Sequence, residues 1–577
     1  MPINNASYVQ WNGPRPTPDD IGIDTPLSYL NESWRIAVAL VDKGRDIYWQ
    51  RNHTGDGPGH TGAWLPVSLG KRGHMSTLWD ERDIRHQARL MAYLWSGEEY
   101  LANEFFGNLF VDLISAEGEL LGHSKRQPRF PATANISTMY SMVCGDMLQY
   151  FEPSVEIADT VITQAAAFAA RLIREFDPEQ SGLLNVGHWA NTFWGTHLGE
   201  PNHYPVNYDP TTKAVVPTMA FTVFLRKAYE AATLQGSDVA APLAEALKRG
   251  IGAIETGAWS ELDQYYYVQR DENSGRWFHT LNGIRETSRE TDVVPHYAAE
   301  LCPDMTRVRQ VGRVIHDALV RERCFPMPQY FPTFSWYSPE HPNGVDQGDD
   351  CGQIGGAWDT PYFHCVQALE RAGLQNALQR AILRRAEVAV RDGDFLESYR
   401  LDGTVDHATF FNRDEYVVSA TAHLTAIIEG LFGVTPAKIG FREVNIRPNL
   451  PLYRAHRHTM HPSPWAERDN RLRVRLGEAG HLDLVVRYDE SSEMVHAKTN
   501  PVGIPAHFRI PLDLASRFKR ATWNGEPLAA RIEQGMDTAF VYASHVLDGG
   551  ELLIHLDPHP GKGRGTTPSV PMREACS

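Results

Sequence analysis

Cysteine is scarce in this chain: Cys144, Cys302, Cys324, Cys351, Cys365 and Cys576 are six in 577 residues, with no CxxC pair among them. Cysteines so few and scattered give neither a disulfide frame nor a zinc site, and they read as the reduced thiols of a cytoplasmic protein. No apolar run approaches the length a bilayer requires, and residues 1–10 have neither the basic start nor the apolar core of a secretion signal. A glycine-rich phosphate loop, a Gly-x-Ser-x-Gly elbow and a His-Glu-x-x-His helix are all missing. Positive charge is short, with 55 Lys and Arg against 71 Asp and Glu. The net charge of −16 argues against nucleic acid or an anionic membrane surface as the main partner.

What is present is the composition of a globular protein, 42% hydrophobic and 22% charged. A chain of this length exceeds one ordinary core, so a large domain and a smaller one are expected. Tryptophan is plentiful: of 14, Trp49, Trp64, Trp79, Trp189, Trp194, Trp277, Trp336 and Trp358 fall outside or at the edges of the helical patterns. Tryptophan in loops beside carboxylates and arginines offers flat apolar faces to a ligand, and sugar rings present matching CH faces.

Helical periodicity recurs at 34–44, 82–97, 99–116, 137–151, 155–176, 215–235, 239–258, 292–301, 304–321, 357–373, 375–392 and 416–432. After every second segment the join is a few residues, and the alternate joins are long. Short joins make antiparallel neighbours. Six helical hairpins with every long loop at one end describe a mainly α (α/α)6 toroid, its long loops converging over the amino-terminal ends of the inner helices. The lead-in occupies residues 1–33 and the toroid residues 34–437. From 438 to 558 the period changes to two, as in Leu-Arg-Val-Arg-Leu and Leu-Asp-Leu-Val-Val-Arg-Tyr, with hairpin signals at Asn524-Gly525 and Asp548-Gly549-Gly550. A small C-terminal antiparallel β-sandwich is expected there, followed by a disordered tail at 559–577.

The long loops hold the unusual residues. The first carries Arg45, Trp49, Arg51, Trp64, Trp79 and Asp80, and the second Lys125, Arg126 and Arg129. The third carries Trp189, Asn191, Trp194, Glu200, His203, Tyr204 and Asp209. In the fourth are Trp277, Arg285, Glu286, Arg289, Glu290 and Asp292; in the fifth, Trp336, Tyr337, Asp346, Asp349, Asp350, Trp358 and Asp359. The sixth, residues 394–415, combines six carboxylates with Phe395, Tyr399, Phe410 and Phe411, which is too aromatic for a solvated linker. Asp346, Asp349 and Asp350 lack the spacing of a defined calcium loop, so no metal and no cofactor is assigned. His86 and His364 sit in helical patterns and read as packing histidines.

Four stretches resemble the six-hairpin glycosidase superfamily of trehalases, processing α-glucosidases, bacterial α-L-rhamnosidases and inverting disaccharide phosphorylases. They are Asp-Pro-Glu-Gln-Ser-Gly-Leu at 177–183 with Gly-His-Trp-Ala-Asn-Thr at 187–192, Gly-Gly-Ala-Trp-Asp-Thr-Pro at 355–361, Glu-Ser-Tyr at 397–399, and residues 419–451 with Ile-Arg-Pro-Asn-Leu-Pro at 446–451. The resemblance spans about residues 20–450 and implies an inverting glycosidase acting on a small carbohydrate. It implies that Glu397 is the general base and Trp358-Asp359 a sugar-binding pair, with Tyr399 beside them. One departure stands out: where relatives carry Trp-Asp as the general acid, this chain has Trp189-Ala190-Asn191, and neither Ala nor Asn can donate an acid proton. Glu200, on the same loop, is the favoured acid, with Asp209, Glu286 and Asp359 as alternatives. Arg51, Trp189 and Asn191 are read as further substrate contacts. A lyase, epimerase or phosphorylase on the same toroid, or a non-catalytic sugar-binding protein, stands as the alternative. Neither the sugar nor the oligomeric state is legible in the sequence.

Overall fold

The structure is a computed structural model and describes residues 21–53, 89–90, 92–94, 116–118, 133–153, 155–185, 212–278, 292–321, 357–396, 398–399, 416–456, 459–462, 465, 468–512 and 515–558. Helix α1 covers Ser28–His53, α2 Thr133–Tyr150, α3 Val155–Phe176, α4 Val215–Leu234 and α5 Ala240–Gly257. Then come α6 Val293–Glu300, α7 Met305–Arg321, α8 Asp359–Ala372, α9 Gln375–Asp392 and α10 Val417–Thr425. The chain continues from α10 into a π-turn over Ala426–Leu431. Residues 89–90 and 92–94 are helical and lie within the expected 82–97 segment, whereas 99–116 falls almost wholly outside the described residues.

Two kinds of helix alternate. Every residue of α10 is buried, as are residues 215–225 of α4 and 293–298 of α6. Helices apolar all round belong to an interior, where each fully buried Val, Leu, Ile or Phe contributes about 1.5–3 kcal/mol. By contrast α3 buries one stripe, Ala158, Val161, Ile162, Ala165, Phe168, Ala169, Leu172 and Phe176, at the three- and four-residue spacing of a surface helix. The buried helices touch one another in chain order: α2 against α4, α4 against α6, α6 against α8, α8 against α10. The amphipathic ones flank them, α3 and α5 on α4, α7 on α6 and α8, α9 on α8, and α1 on α9 and α10.

Proline explains where several helices start. Pro217, Pro242, Pro295 and Pro361 each fall in the first turn of α4, α5, α6 and α8, where the missing N–H has no intrahelical partner to lose and φ is already suitable. Helix α1 corrects one expectation. It runs on to His53, so Arg45, Trp49 and Arg51 belong to its C-terminal half and not to a loop. Gly44 weakens the helix there, but no proline and no second glycine intervenes before the Gly-rich stretch beginning at Gly55.

The long connection between α5 and α6 is built into short strands, with Trp259–Ser260 on Tyr265–Tyr266, and Gln269–Asp271 between Thr212–Ala214 and Trp277–Phe278. After the helices a ten-stranded sheet forms. Its spine is two long antiparallel strands, Met494–Leu512 and Ala539–Leu556, with a register shift between Pro501 and Pro505. The pairings are antiparallel except that Val444–Ile446 runs parallel to residues 506–508. The lead-in contributes to this sheet, because Gly22–Asp24 pairs with residues 471–473. Arg509 fastens sheet to helices: it is ion-paired with Glu370 of α8 at 2.6 Å, donates to Asn449 Oδ1 at 3.0 Å and lies 4.2 Å over Phe540.

Candidate active site

Trp358 and the Glu-Ser-Tyr stretch are far apart in sequence, yet the fold pairs them. Ala357–Trp358 and Ser398–Tyr399 form a two-residue antiparallel ladder, with Ala357 opposite Tyr399 and Trp358 opposite Ser398. The backbone of Asp359 begins α8 directly after this ladder. The Trp-Asp pair therefore sits where a buried helix presents its free N–H groups, a place that favours acceptors and negative charge.

Glu397 itself lies outside the described residues, but the chain on either side of it is firmly held. Gly393 ends α9 in the left-handed conformation, φ 66°, which a residue with a Cβ adopts only at a cost. Phe395 is fully buried and Leu396 is 6% exposed. The Phe395 carbonyl accepts the Tyr416 N–H at 2.7 Å, and the Leu396 carbonyl accepts the Ser419 hydroxyl at 2.8 Å. Tyr399 is 2% exposed. Its hydroxyl accepts the Leu396 N–H at 3.1 Å and an Arg385 N–H at 3.2 Å, which gives this side chain an internal role.

Below this stretch the core is polar. The His423 ring lies tilted against Phe395, 5.3 Å between centres, and its Nε2 is 3.1 Å from Ser33 Oγ of α1. Burial, and then the charge of Arg385, hold the imidazole well below its usual pKa, so it is neutral. At the start of α6, Asp292 bonds His364 of α8 through Oδ1 and Nδ1, and the His364 ring lies 4.9 Å from that of His296. All three are at most 1% exposed. His364 is thus a packed histidine, as expected, with a carboxylate partner from the fourth long connection.

The third long connection enters the same end. Asp177 spends its carboxylate on the turn that follows α3, accepting Ser181 N–H and Oγ–H at 2.7 Å each and Gly182 N–H at 2.8 Å. Leu184 N–H then donates to Thr218 Oγ1 in the first turn of α4 at 2.9 Å. The Asp-Pro-Glu-Gln-Ser-Gly-Leu stretch is therefore a self-capped turn that delivers the chain to the amino end of α4. Trp189, Asn191, Glu200 and the alternative acids Asp209 and Glu286 lie outside the described residues, and only the backbone of Arg51 is placed, in α1. Trp277, by contrast, is occupied by packing: it stacks on Tyr267 at 5.8 Å and carries Arg270 at 5.4 Å.

A second polar cluster went unread in the sequence. Arg89 holds Asp146 by two bonds of 2.8 and 2.9 Å, Lys227 Nζ bonds Asp146 at 2.6 Å, and Arg89 reaches Glu429 at 3.3 Å. Glu429 also accepts the hydroxyls of Tyr150 at 2.5 Å and Tyr93 at 3.2 Å. Burial pushes the Glu429 carboxyl up to about 7 despite the pull of Arg89 and the Tyr150 bond. Perturbed groups often mark functional sites, and so do π-turns such as the one carrying Glu429. These residues, however, lie toward the carboxyl ends of α2, α4 and the α10 segment, whereas Asp359 begins α8 and Tyr416 precedes α10. The legible signal was a charge inside an otherwise apolar helix: Asp146, Lys227 and Glu429 each interrupt one. Among the described residues no group of three or more His, Cys, Asp or Glu is arranged to hold a metal ion, and no helix is long and apolar enough to cross a membrane.

The described residues thus form a helix-rich body with a C-terminal antiparallel sheet, in which the Trp358-Asp359 pair is bridged to Ser398-Tyr399. Among solved structures, the chain superposes on an α-L-rhamnosidase from Dictyoglumus thermophilum with a TM-score of 0.57 at 10% identity, over 94% of this chain and 51% of that one. It superposes on the Streptomyces avermitilis α-L-rhamnosidase complexed with L-rhamnose with a TM-score of 0.50 at 14% identity, over 92% of this chain and 42% of that one. At such identities the similarity is one of fold, and it bears out the superfamily resemblance at that level. The chain spans about half the length of these proteins or less. No family model matches the chain, and no curated protein matches it.

Proposed function

We propose that this protein is a glycoside hydrolase, inverting and exo-acting, built on an (α/α)6 toroid with an appended β-sandwich. The observation that carries the reading is the register of the Trp358–Ser398 ladder, which brings the Trp-Asp pair to the residue beside Glu397. Inverting hydrolysis needs one carboxylate to take a proton from water as its oxygen attacks the anomeric carbon. A second, protonated carboxyl gives its proton to the leaving oxygen as the glycosidic bond breaks. Glu397 serves as the base. Trp358 offers its ring face to the sugar, Asp359 accepts sugar hydroxyls at the start of α8, and Arg51, Trp189 and Asn191 lie along the substrate. Glu200 is the acid assigned in place of the vacant Trp-Asp position.

The test is a panel of aryl glycosides, α-L-rhamnosides first, and natural disaccharides, with product anomers read by proton NMR. Glu397→Gln is run beside the wild type. Release of sugar with inverted configuration, lost by at least a hundredfold in the variant, is the expected result. Full turnover in Glu397→Gln removes it from the mechanism. The Trp189-Ala190-Asn191 departure favours one other reading, a sugar-binding protein without hydrolysis. Silence across the panel while sugars still raise the melting temperature would establish it.

A further inference from the structure

The sheet meets the carboxyl ends of the buried helices across a cavity of about 1450 Å³. The last turns of α2, α4, α6 and α8 bring Tyr150, Leu234, Glu300 and Arg371 to its wall, whereas Trp358 and Asp359 lie before and at the start of α8. The opposite wall is one face of the sheet, and strand register sets what that face carries. Tyr542 stands opposite Arg509 on one side and Arg531 on the other. Ile446 pairs with Phe508, so Arg447 and Arg509, the next residue of each strand, follow side by side. Arginines 447, 509 and 531 therefore reach the cavity in one row across the sheet. In a chain whose net charge is −16 this is a local reversal of sign.

Three of the guanidiniums on these walls share a single carboxylate. Glu370 is ion-paired with Arg509 at 2.6 Å. Arg371 is spent on the end of α6, donating to the Ala298 and Ala299 carbonyls at 2.9 Å each and to that of Cys302 at 2.7 Å. Arg447 has no carboxylate within ion-pair distance among the described residues, and its side chain makes one hydrogen bond there, from Nη2 to Asn445 Oδ1 at 2.9 Å. A guanidinium carries five N–H donors, so most of this fork is left over, and the side chain is only half-buried on the cavity wall. Burial pushes the Arg447 pKa down; Glu370 opposes this, and the charges of Arg509 and Arg371 add to it. A cation held against like charges costs the fold stability, and local conflicts of this kind are expected at functional sites. What relieves it is an anion, and a planar fork fits the paired oxygens of a phosphate or carboxylate.

We propose that this cavity binds a small molecule through a phosphate or carboxylate group, with Arg447 as the anchor and Arg509 and Arg531 beside it. The volume exceeds the roughly 300–1,000 Å³ usual for small-molecule sites, so such a ligand has room. The site is built from other residues than the candidate active site and stands independently of the glycosidase reading.

The experiment follows the melting temperature of the full-length protein in sodium phosphate and in sodium citrate, each against sodium chloride at equal ionic strength. Wild type, Arg447→Gln and Arg447→Lys are compared. General salt effects grow without saturating. The expected result is stabilisation of the wild type that saturates, with its midpoint at about 1 mM or below, and a midpoint raised about tenfold or more in Arg447→Gln. Arg447→Lys keeps the charge and gives up the fork; its midpoint should move in the same direction, and it decides the matter if the glutamine variant does not fold. Tighter binding of phosphate identifies the ligand as a phosphate ester, and tighter binding of citrate as a carboxylate. No saturable stabilisation by either anion overturns the inference. So does a midpoint unchanged in the folded variants, because the anion then binds elsewhere.

Discussion

Asp146→Asn is the sharpest test of how the helices are held together. Asp146 is 1% exposed and its two oxygens receive two bonds from Arg89 and one from Lys227. Asparagine has the same shape but a single acceptor oxygen for those three donors, and its NH2 group turns a fourth donor toward them. Each charge-assisted bond is worth about 1.5–3 kcal/mol net, and breaking a buried ion pair from one side costs about 3–5 kcal/mol because the partner charge stays buried. Glu429 keeps part of Arg89's charge compensated, whereas Lys227, among the described residues, is left with the field of Glu300. Burial already lowers the pKa of Lys227, and Asp146 is the largest influence opposing that. A loss of about 3–5 kcal/mol is expected, measured by guanidinium denaturation followed through tryptophan fluorescence. Adding Lys227→Met to Asp146→Asn removes the stranded cation and should restore part of the loss, a coupling that a double-mutant cycle isolates. A loss below about 1 kcal/mol, or no recovery in the double variant, would falsify the reasoning and mean that water serves these charges.

Glu429 gives a pH signature. Its carboxyl rises from 4.5 unfolded to about 7 folded, so the native state binds the extra proton between those values. That contribution to stability is fully present below about 4.5 and is lost as pH rises through about 7. The difference in melting temperature between wild type and Glu429→Gln should therefore change between pH 5 and pH 8, and a pH-independent difference refutes the assignment. Gly433, after the π-turn, has φ +69°, and a Cβ there would stand 2.0 Å from the Arg447 carbonyl. The two residues are already joined by the Arg447 N–H to Gly433 carbonyl bond at 2.9 Å, so they cannot part. Gly433→Ala should lose about 1–2 kcal/mol from the left-handed backbone alone, with the clash added, and an unchanged melting temperature contradicts it. Glu397→Gln should abolish turnover of whatever glycoside the wild type hydrolyses.

Much of this architecture was local and hence legible in the sequence. Helix periodicity, first-turn prolines and the shift to period two after the last helix place nine of the ten described helices and the sheet within a few residues, because each is decided by neighbours a turn or two away. The Trp-Asp and Glu-Ser-Tyr stretches were legible as chemistry for the same reason. Their pairing was not, since a two-residue ladder between distant segments leaves no periodic trace. Nor were the lead-in strand at Gly22–Asp24, fixed by the sheet it completes, and the run of α1 to His53 foreseen. The charges inside apolar helices were visible as oddities, yet only the assembled helices show that Asp146, Lys227, Arg89 and Glu429 satisfy one another. Arg385 is the clearest case. In sequence it is one of several arginines on an amphipathic helix, and the tertiary structure alone lays it across Phe395 and Tyr399, on either side of the residue proposed to do the chemistry.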